Sequence, residues 1–408
     1  MQGHLQDADW KAALWTNEYL QSKAGNAMVE VEHREDSKRG YGKGQKMRMS
    51  FGNFLERLAA GDDTVYLTTQ EVGIGSDGQP ELFAPPVAQL ASDFPLQPTL
   101  LGNLVPHQVN LWMGAALSGV SSGLHHDFHD NLYVLLRGRK RFTLFPPSLA
   151  RRMYTHGQIK LVHPNGRIVY EGRGDVLADG SDAAEVDTWQ RRRSAEAELR
   201  AAEAAVARLE AGAEERLAIA EEALDAFLEA ALQAAGADDY CESEDEDASD
   251  GSDAVGLPED FHDDYVDSDD EAAGTATAAS HSAAAENGCV SSAAQASDAA
   301  GNGDSGAGSG DDEAEPDSFS QVDLAAGQTE ISAHFPDFPG VQKALQVDVH
   351  AGEMLYLPAG WFHEVESFGA EHMALNYWAH PPDNLDPGPA GFFKPYQGDY
   401  WPSLWAQR

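Results

Sequence analysis

The chain has 408 residues, 27 of them Lys or Arg and 68 Asp or Glu, for a formal net charge of −41. That length sets a prior of one large domain or two smaller ones, and so acidic a balance argues against non-specific nucleic-acid binding, which needs a basic footprint. No apolar run is long enough to span a bilayer.

The charge is unevenly spread. Residues 237–320 hold 25 acids and no Lys or Arg, 182–236 carry a net −7, and the remainder is left with only −9, which is ordinary for a soluble protein. Both cysteines, Cys241 and Cys289, fall in the acidic stretch. Neither a disulfide framework nor a zinc module is expected, and a reducing compartment follows. The first eight residues lack the apolar core of a secretory signal. A cytoplasmic and/or nuclear location, with no membrane, is the expectation.

In chain order, Trp10 to Leu20 reads as a helix, and Val29-Glu30-Val31-Glu32 alternates as a strand does. Gly40 to Gly44 reads as a loop with no phosphate-cradle pattern. Ser50 is placed to cap a short helix beginning at Phe51. From Thr64 onward the chain turns β-rich. Strands are expected at Thr64–Thr68, Val109–Trp112, Asn131–Leu136 and Arg141–Phe145, with Arg137 to Lys140 as a hairpin turn between the last two. After an interruption, strands recur at Leu345–Val349, Met354–Leu357, His363–Glu366 and Met373–Tyr377. Short strands parted by Gly/Pro turns predict a mainly β double-sheet jelly roll or barrel.

The interruption has two parts. Residues 173–236 are rich in Ala, Glu, Leu and Arg, and Leu199, Val206, Leu209, Leu217, Leu224 and Phe227 recur near helical spacing. This reads as one long helix broken near Gly212 or as a helical hairpin, either solvated or binding a partner. Residues 237–320 are too polar and too short of aromatics to offset ordering entropy, so a disordered acidic insert is expected. The resulting division is 1–172 and 321–408 for the β domain, 173–236 for the helical insert and 237–320 for the acidic one.

Two local motifs carry chemistry. One is Leu124-His125-His126-Asp127. The other runs from Gly352-Glu353-Met354-Leu355-Tyr356-Leu357-Pro358 to Trp361-Phe362-His363. On a strand, His125 and Asp127 share a face while His126 points away. With His363 they supply two imidazoles and a carboxylate, the ligand set of a non-haem Fe(II) facial triad. A bidentate 2-oxo acid on such a metal needs a cation for its distal carboxylate. Lys140 is placed for that, with hydroxyls at Tyr66 and Ser122 to complete the clamp. His126 and His129 are not expected among these ligands, and His129 is a candidate for the substrate mouth.

The stretch Ser122 to Tyr133, then Gly138-Arg139-Lys140-Arg141-Phe142, Phe145-Pro146-Pro147, Ala351 to Ala359 and Ala374-Leu375-Asn376-Tyr377-Trp378 resembles the JmjC (cupin-like) 2-oxoglutarate oxygenases. Among these it is most similar to the small JmjC-only protein hydroxylases of the lysyl hydroxylase type, related to factor-inhibiting HIF. The resemblance covers about 10–170 and 320–395. It implies a double-stranded β-helix (jelly-roll/cupin) with flanking helices, in which His125, Asp127 and His363 ligate Fe(II). Lys140, Tyr66 and Ser122 would hold the C5 carboxylate of 2-oxoglutarate. Asn131 and Asn376 would line the metal and co-substrate pocket, and Trp112 would form a wall. The implied activity is a dioxygenase that uses O₂ and 2-oxoglutarate to hydroxylate a protein side chain, lysine first, releasing succinate and CO₂.

Other activities stay open: a tRNA-modifying JmjC hydroxylase, a histone demethylase, or, outside enzymes, a catalytically silent cupin module whose acidic insert recruits basic partners. The family's usual first strand precedes the segment aligned at Trp10, so a truncated N-terminus is expected. The family's C-terminal dimerisation helices look shortened. The aromatic tail from Gly391 is expected to pack on the barrel instead. The oligomeric state cannot be read from the sequence.

Overall fold

A computed structural model describes residues 5–34, 45–76, 78–237, 315–386, 388 and 394–408. The loop expected at 40–44 and the acidic stretch 238–314 lie outside them. The chain divides into two compact units, Met1–Ser194 with Ala293–Arg408, and Ala195–Ser292.

In the first unit the helix expected over 10–20 starts later. A short 3₁₀ turn at Ala12–Leu14 precedes α1 (Asn17–Ala24), because the Thr16 hydroxyl accepts the Tyr19 N–H and sets the start. Strand β1 (Met28–His33) lies where alternation put it and pairs with β2 (Gln45–Ser50), which its charged sequence did not announce. The Ser50 hydroxyl then accepts the Asn53 N–H at 3.2 Å and caps α2 (Phe51–Ala59). This helix buries Phe51, Phe54, Leu55 and Leu58. Ser50→Ala should lower stability by about 1 kcal/mol, read in urea as a lower midpoint with an unchanged slope.

The remaining strands are β3 (Val65–Leu67), β4 (Pro106–Ser121), β5 (His125–His126), β6 (Asp130–Phe145), β7 (Ile159–Val162) and β8 (Ile168–Tyr170). Helices α3 (Ala183–Ala207), α4 (Ala213–Ala237) and α5 (Gln328–His334) follow. The chain then returns to β9 (Leu345–His350), β10 (Met354–Leu357) and β11 (Phe362–Ala379), and ends in α6 (Tyr400–Trp405). No helix among the described residues is long and apolar enough to cross a membrane.

Nine strands form one antiparallel sheet in the order β10-β6-β11-β4-β3-β1-β2, with β5 on β11 and β9 on β6. The expected hairpin at 137–140 is absent. Arg137 to Lys140 lies inside β6, and Gly138 adopts φ 79° there, where a side chain would meet His372 and the Glu371 carbonyl. The two strands expected at 363–366 and 373–377 are likewise one, β11. Register shifts between Phe368 and Ala374 face the Gly138 kink. Bulges of this kind bend a strand without ending it, so β6 and β11 each run through both layers. The first half of β6 pairs with β10 and its second half with β9. This is the cupin jelly roll.

Alternation sorts the two faces. Leu132, Val134, Leu375 and Tyr377 join Phe51, Phe54 and Leu20 in the helix-side core. Tyr133, Leu135, Phe142, Leu144, Leu357 and Ala374 form the core inside the barrel. The tail packs on the barrel as expected. The buried Tyr396 hydroxyl accepts the Val105 N–H at 2.9 Å and donates to the His380 carbonyl at 2.8 Å. Residues 315–320, at the end of the acidic stretch, pair with the strand that carries His125. The His126 N–H donates to the Ser318 carbonyl, and the Ser320 N–H donates to that of Leu124.

The second unit includes the end of α3 and all of α4. They are separate helices parted at 208–212, where Leu209 and Gly212 take positive φ. It is Ala202, Ala205, Ala213 and Ala220 that are buried there, while Leu209 is 91% exposed.

Candidate metal centre

His125 lies on β5 and Asp127 one residue past it. His363 is the second residue of β11, directly paired with His125. The three side chains offer ligand atoms that all lie within 4.8 Å of one another. The His363 Nε2 is 3.9 Å from an Asp127 carboxylate oxygen, and the rings of His125 and His363 are 4.3 Å apart. Each imidazole is fixed through its other nitrogen. His125 Nδ1 contacts the Gly123 carbonyl at 3.0 Å, and His363 Nδ1 contacts that of Trp361 at 2.9 Å. A carbonyl can only accept, so both Nδ1 atoms carry the proton and both Nε2 lone pairs are free for a cation. Burial, with His363 as a second cause, pushes His125 down to about 4, so it is neutral at pH 7.

The turn that delivers His363 is held by groups sequence reasoning missed. The Asp130 carboxylate accepts the Ala359 N–H at 2.9 Å and the Tyr356 hydroxyl. Burial pushes Asp130 up to about 6. Gly360, at φ 74°, donates its N–H to the Asp127 carbonyl, and a side chain there would lie 1.9 Å from the Gly166 carbonyl oxygen. Only glycine lets this turn close against Asp127. Phe319 also went unforeseen. It stacks on His125 at 4.8 Å, from the segment that returns out of the acidic stretch. No local motif announced Asp130 or Phe319, although an acid three residues after His-x-Asp and a tyrosine in the Gly-Glu turn could have been paired.

The asparagines form a relay. The Trp112 indole donates to the Asn376 side-chain oxygen at 2.7 Å. Asn376 donates to Asn131 at 3.0 Å, and Asn131 reaches the Asp127 carboxylate at 3.3 Å. Trp112 also packs near Tyr66 and Trp378.

Lys140 sits on β6 rather than across a turn, opposite Ser367 of β11. His363 and Ser367 share a face, four residues or about 13 Å of strand apart. Lys140 is 2% exposed, and its ammonium lies 5.8 Å from the Tyr66 ring and 5.7 Å from that of Tyr133. Burial alone pushes it down to about 7. Ser122 is held differently. Its hydroxyl accepts the Val365 N–H and contacts the Gly123 carbonyl, both at 3.0 Å, so its bonds go to backbone. Ser121, its neighbour, donates to Glu364 at 2.6 Å. His126 turns away from the triad to meet the Tyr170 hydroxyl at 2.7 Å.

Two imidazoles with free lone pairs and a carboxylate, on one side of a prospective ion, fit a divalent iron that keeps positions open for other ligands. A buried cation further along the same strands fits an anionic co-substrate.

Comparison with known proteins points the same way. The family described as a cupin-like domain matches residues 3–384. JmjC domain-containing protein 4 of Schizosaccharomyces pombe (strain 972 / ATCC 24843) is 34% identical over 94% of this chain and 79% of its own length. The human bifunctional peptidase and (3S)-lysyl hydroxylase JMJD7 is 29% identical, over 33% of this chain and 43% of its own. The lysine-specific demethylase JMJ32 of Arabidopsis thaliana is 43% identical over 12% of this chain and 14% of its own.

Proposed function

Because the chain belongs to the cupin-like JmjC family, we propose that it is an Fe(II)- and 2-oxoglutarate-dependent dioxygenase that hydroxylates a protein side chain, lysine first. The observation that carries this reading is the convergence of His125, Asp127 and His363, with both Nδ1 atoms already committed to carbonyls. When bound, Fe(II) and 2-oxoglutarate supply the oxidising power for C–H hydroxylation by O₂, with succinate and CO₂ as co-products.

The chain's own residues do the rest. His125, Asp127 and His363 would hold the metal. The relay from Trp112 through Asn376 and Asn131 would orient the Asp127 carboxylate. Lys140, with Tyr66 beside it, would neutralise the C5 carboxylate in a space that otherwise penalises charge. Aromatic and aliphatic walls exclude water around it. A lysine-bearing protein is the proposed substrate. It is supported by the lysyl hydroxylase activity for which the human relative is named and by the lack of a basic footprint for RNA.

Anaerobic titration of Fe(II) and 2-oxoglutarate tests this reading. A weak visible charge-transfer band is expected in the wild type and should be lost in His125→Ala. A folded wild type without the band would sink the oxygenase reading in favour of a silent cupin. With lysine peptides, mass spectrometry should then show the gain of one oxygen atom, whereas loss of a methyl group from a methylated peptide would indicate demethylation.

A further inference from the structure

A second group of metal-ligating side chains stands at one end of the same sheet. His107 is the second residue of β4, His129 immediately precedes β6, and His380 immediately follows β11. These three strands are neighbours, in the order β6-β11-β4. The register slips by one residue at this end: Trp378 pairs with Gln108 but Ala379 pairs with Pro106. His107 is the extra residue of that bulge, and bulges re-aim side chains. Its ring is brought parallel to that of His129 at 3.9 Å, and lies 5.1 Å from that of His380.

Nitrogen atoms of all three rings lie within 4.8 Å of one another. His129 and His380 are buried, at 5% and 7% exposure. The Nδ1 of His380 is buried and has no hydrogen-bond partner among the described residues, an arrangement native interiors avoid unless something binds. The outer side is backed by Trp401 of α6, stacked on His380 at 3.4 Å.

We propose that His107, His129 and His380 form a second metal site, which takes one divalent transition ion of the zinc class through three imidazole nitrogens and keeps a fourth position open. Three imidazoles with an open position are an established zinc ligand set. Zinc–nitrogen bonds of about 2.0–2.1 Å put tetrahedral nitrogens about 3.3 Å apart, so the nitrogens close by at most about 1.5 Å on the ion, and the His107 ring turns out of its stack on His129 as it binds, because each lone pair lies in its ring plane. Such an ion ties the ends of three strands together two residues from Asp127, and so stiffens the rim of the candidate iron centre.

Cobalt(II) and zinc(II) alone serve as probes on the full chain. Four-coordinate cobalt(II) absorbs visible light far more strongly than six-coordinate cobalt(II). The variant His363→Ala, impaired only at the triad, should still bind one cobalt per chain with the intense bands, and its melting temperature should rise with zinc. His107→Phe in that background keeps the stacked ring but removes the nitrogen. It should lose both signals while retaining the circular-dichroism spectrum, and His380→Phe should do the same. Absence of the intense bands from wild type and His363→Ala alike would overturn the proposal. So would bands and a zinc-dependent rise that survive in both phenylalanine variants. Because the readout is taken with the triad disabled, failure of the iron reading leaves this result standing, and the reverse.

Discussion

His363→Ala should reduce 2-oxoglutarate turnover by on the order of 10³-fold or more, a barrier increase of roughly 4 kcal/mol, and should abolish the anaerobic charge-transfer band. The substitution takes one of two imidazoles from a three-ligand set, and the candidate centre has no spare donor of the same kind among the described residues. His126, the nearest alternative in sequence, is turned towards Tyr170 and sits outside the cluster. The loss should not come from unfolding. His363 lies on β11 between β5 and the second half of β6, and its backbone pairing does not depend on the ring. Far-ultraviolet circular dichroism should therefore match wild type. Turnover that survives within tenfold in a folded variant would place the metal elsewhere.

Lys140→Met should have two opposite effects, one on co-substrate and one on stability. The ammonium has an ordinary value of 10.5 and is pushed down to about 7 by burial. In the unfolded chain it stays charged up to its ordinary value, whereas in the folded chain without co-substrate it stays charged only up to about 7. Burying the charge therefore costs stability in full below pH 7, by up to about 5 kcal/mol, and the cost fades as pH rises from 7 towards 10.5. Methionine fills a similar volume without the charge. The variant should be more stable than wild type at pH 6–7 when no 2-oxoglutarate is present, with the gap narrowing by pH 10.

The effect on binding runs the other way. Removing the partner of a buried carboxylate costs about 3 kcal/mol, so the 2-oxoglutarate requirement should rise by about 10²-fold. In wild type, affinity should weaken as pH rises past 7 and the ammonium deprotonates, and in Lys140→Met that dependence should vanish. Denaturant melts across pH and isothermal titration with 2-oxoglutarate check both halves. An unchanged co-substrate affinity would remove Lys140 from the clamp.

What could be read from the sequence was what is local. His125 and Asp127 are two residues apart, and His363 closes a turn with its own signature, so the triad could be named before any fold was known. The same holds for Ser50 as a cap, for β1 by alternation and for β10 between its Gly-Glu and Pro-Ala-Gly flanks. What misled was glycine inside long strands. Arg137-Gly138-Arg139-Lys140 has the composition of a hairpin, yet it is a kink in β6, and a matching irregularity in β11 was read as a gap between two strands. The sheet needs these strands to cross from one layer to the other, and that need is tertiary. Ser122 is a clamp candidate on motif position alone, and its hydroxyl is held by backbone. The histidines at 107, 129 and 380 could not be seen together at all. No spacing links them. A strand order and a one-residue bulge do.

The position of β11 also bears on how the chain is made. It lies between β6 and β4 and contacts both along most of its length. Everything emerging from the ribosome before Phe362 therefore contains two long strands whose shared neighbour does not yet exist. Roughly 200 residues separate the end of β6 from the start of β11, and at about 5–20 residues per second their synthesis takes on the order of 10–40 s. For that interval the inner edges of β4 and β6 are open to pairing with other nascent chains. The barrel can only close once β11 has emerged. Chains cut short before Ala379 should accumulate as aggregates, whereas slowing synthesis upstream of β11 should do more harm than slowing it afterwards.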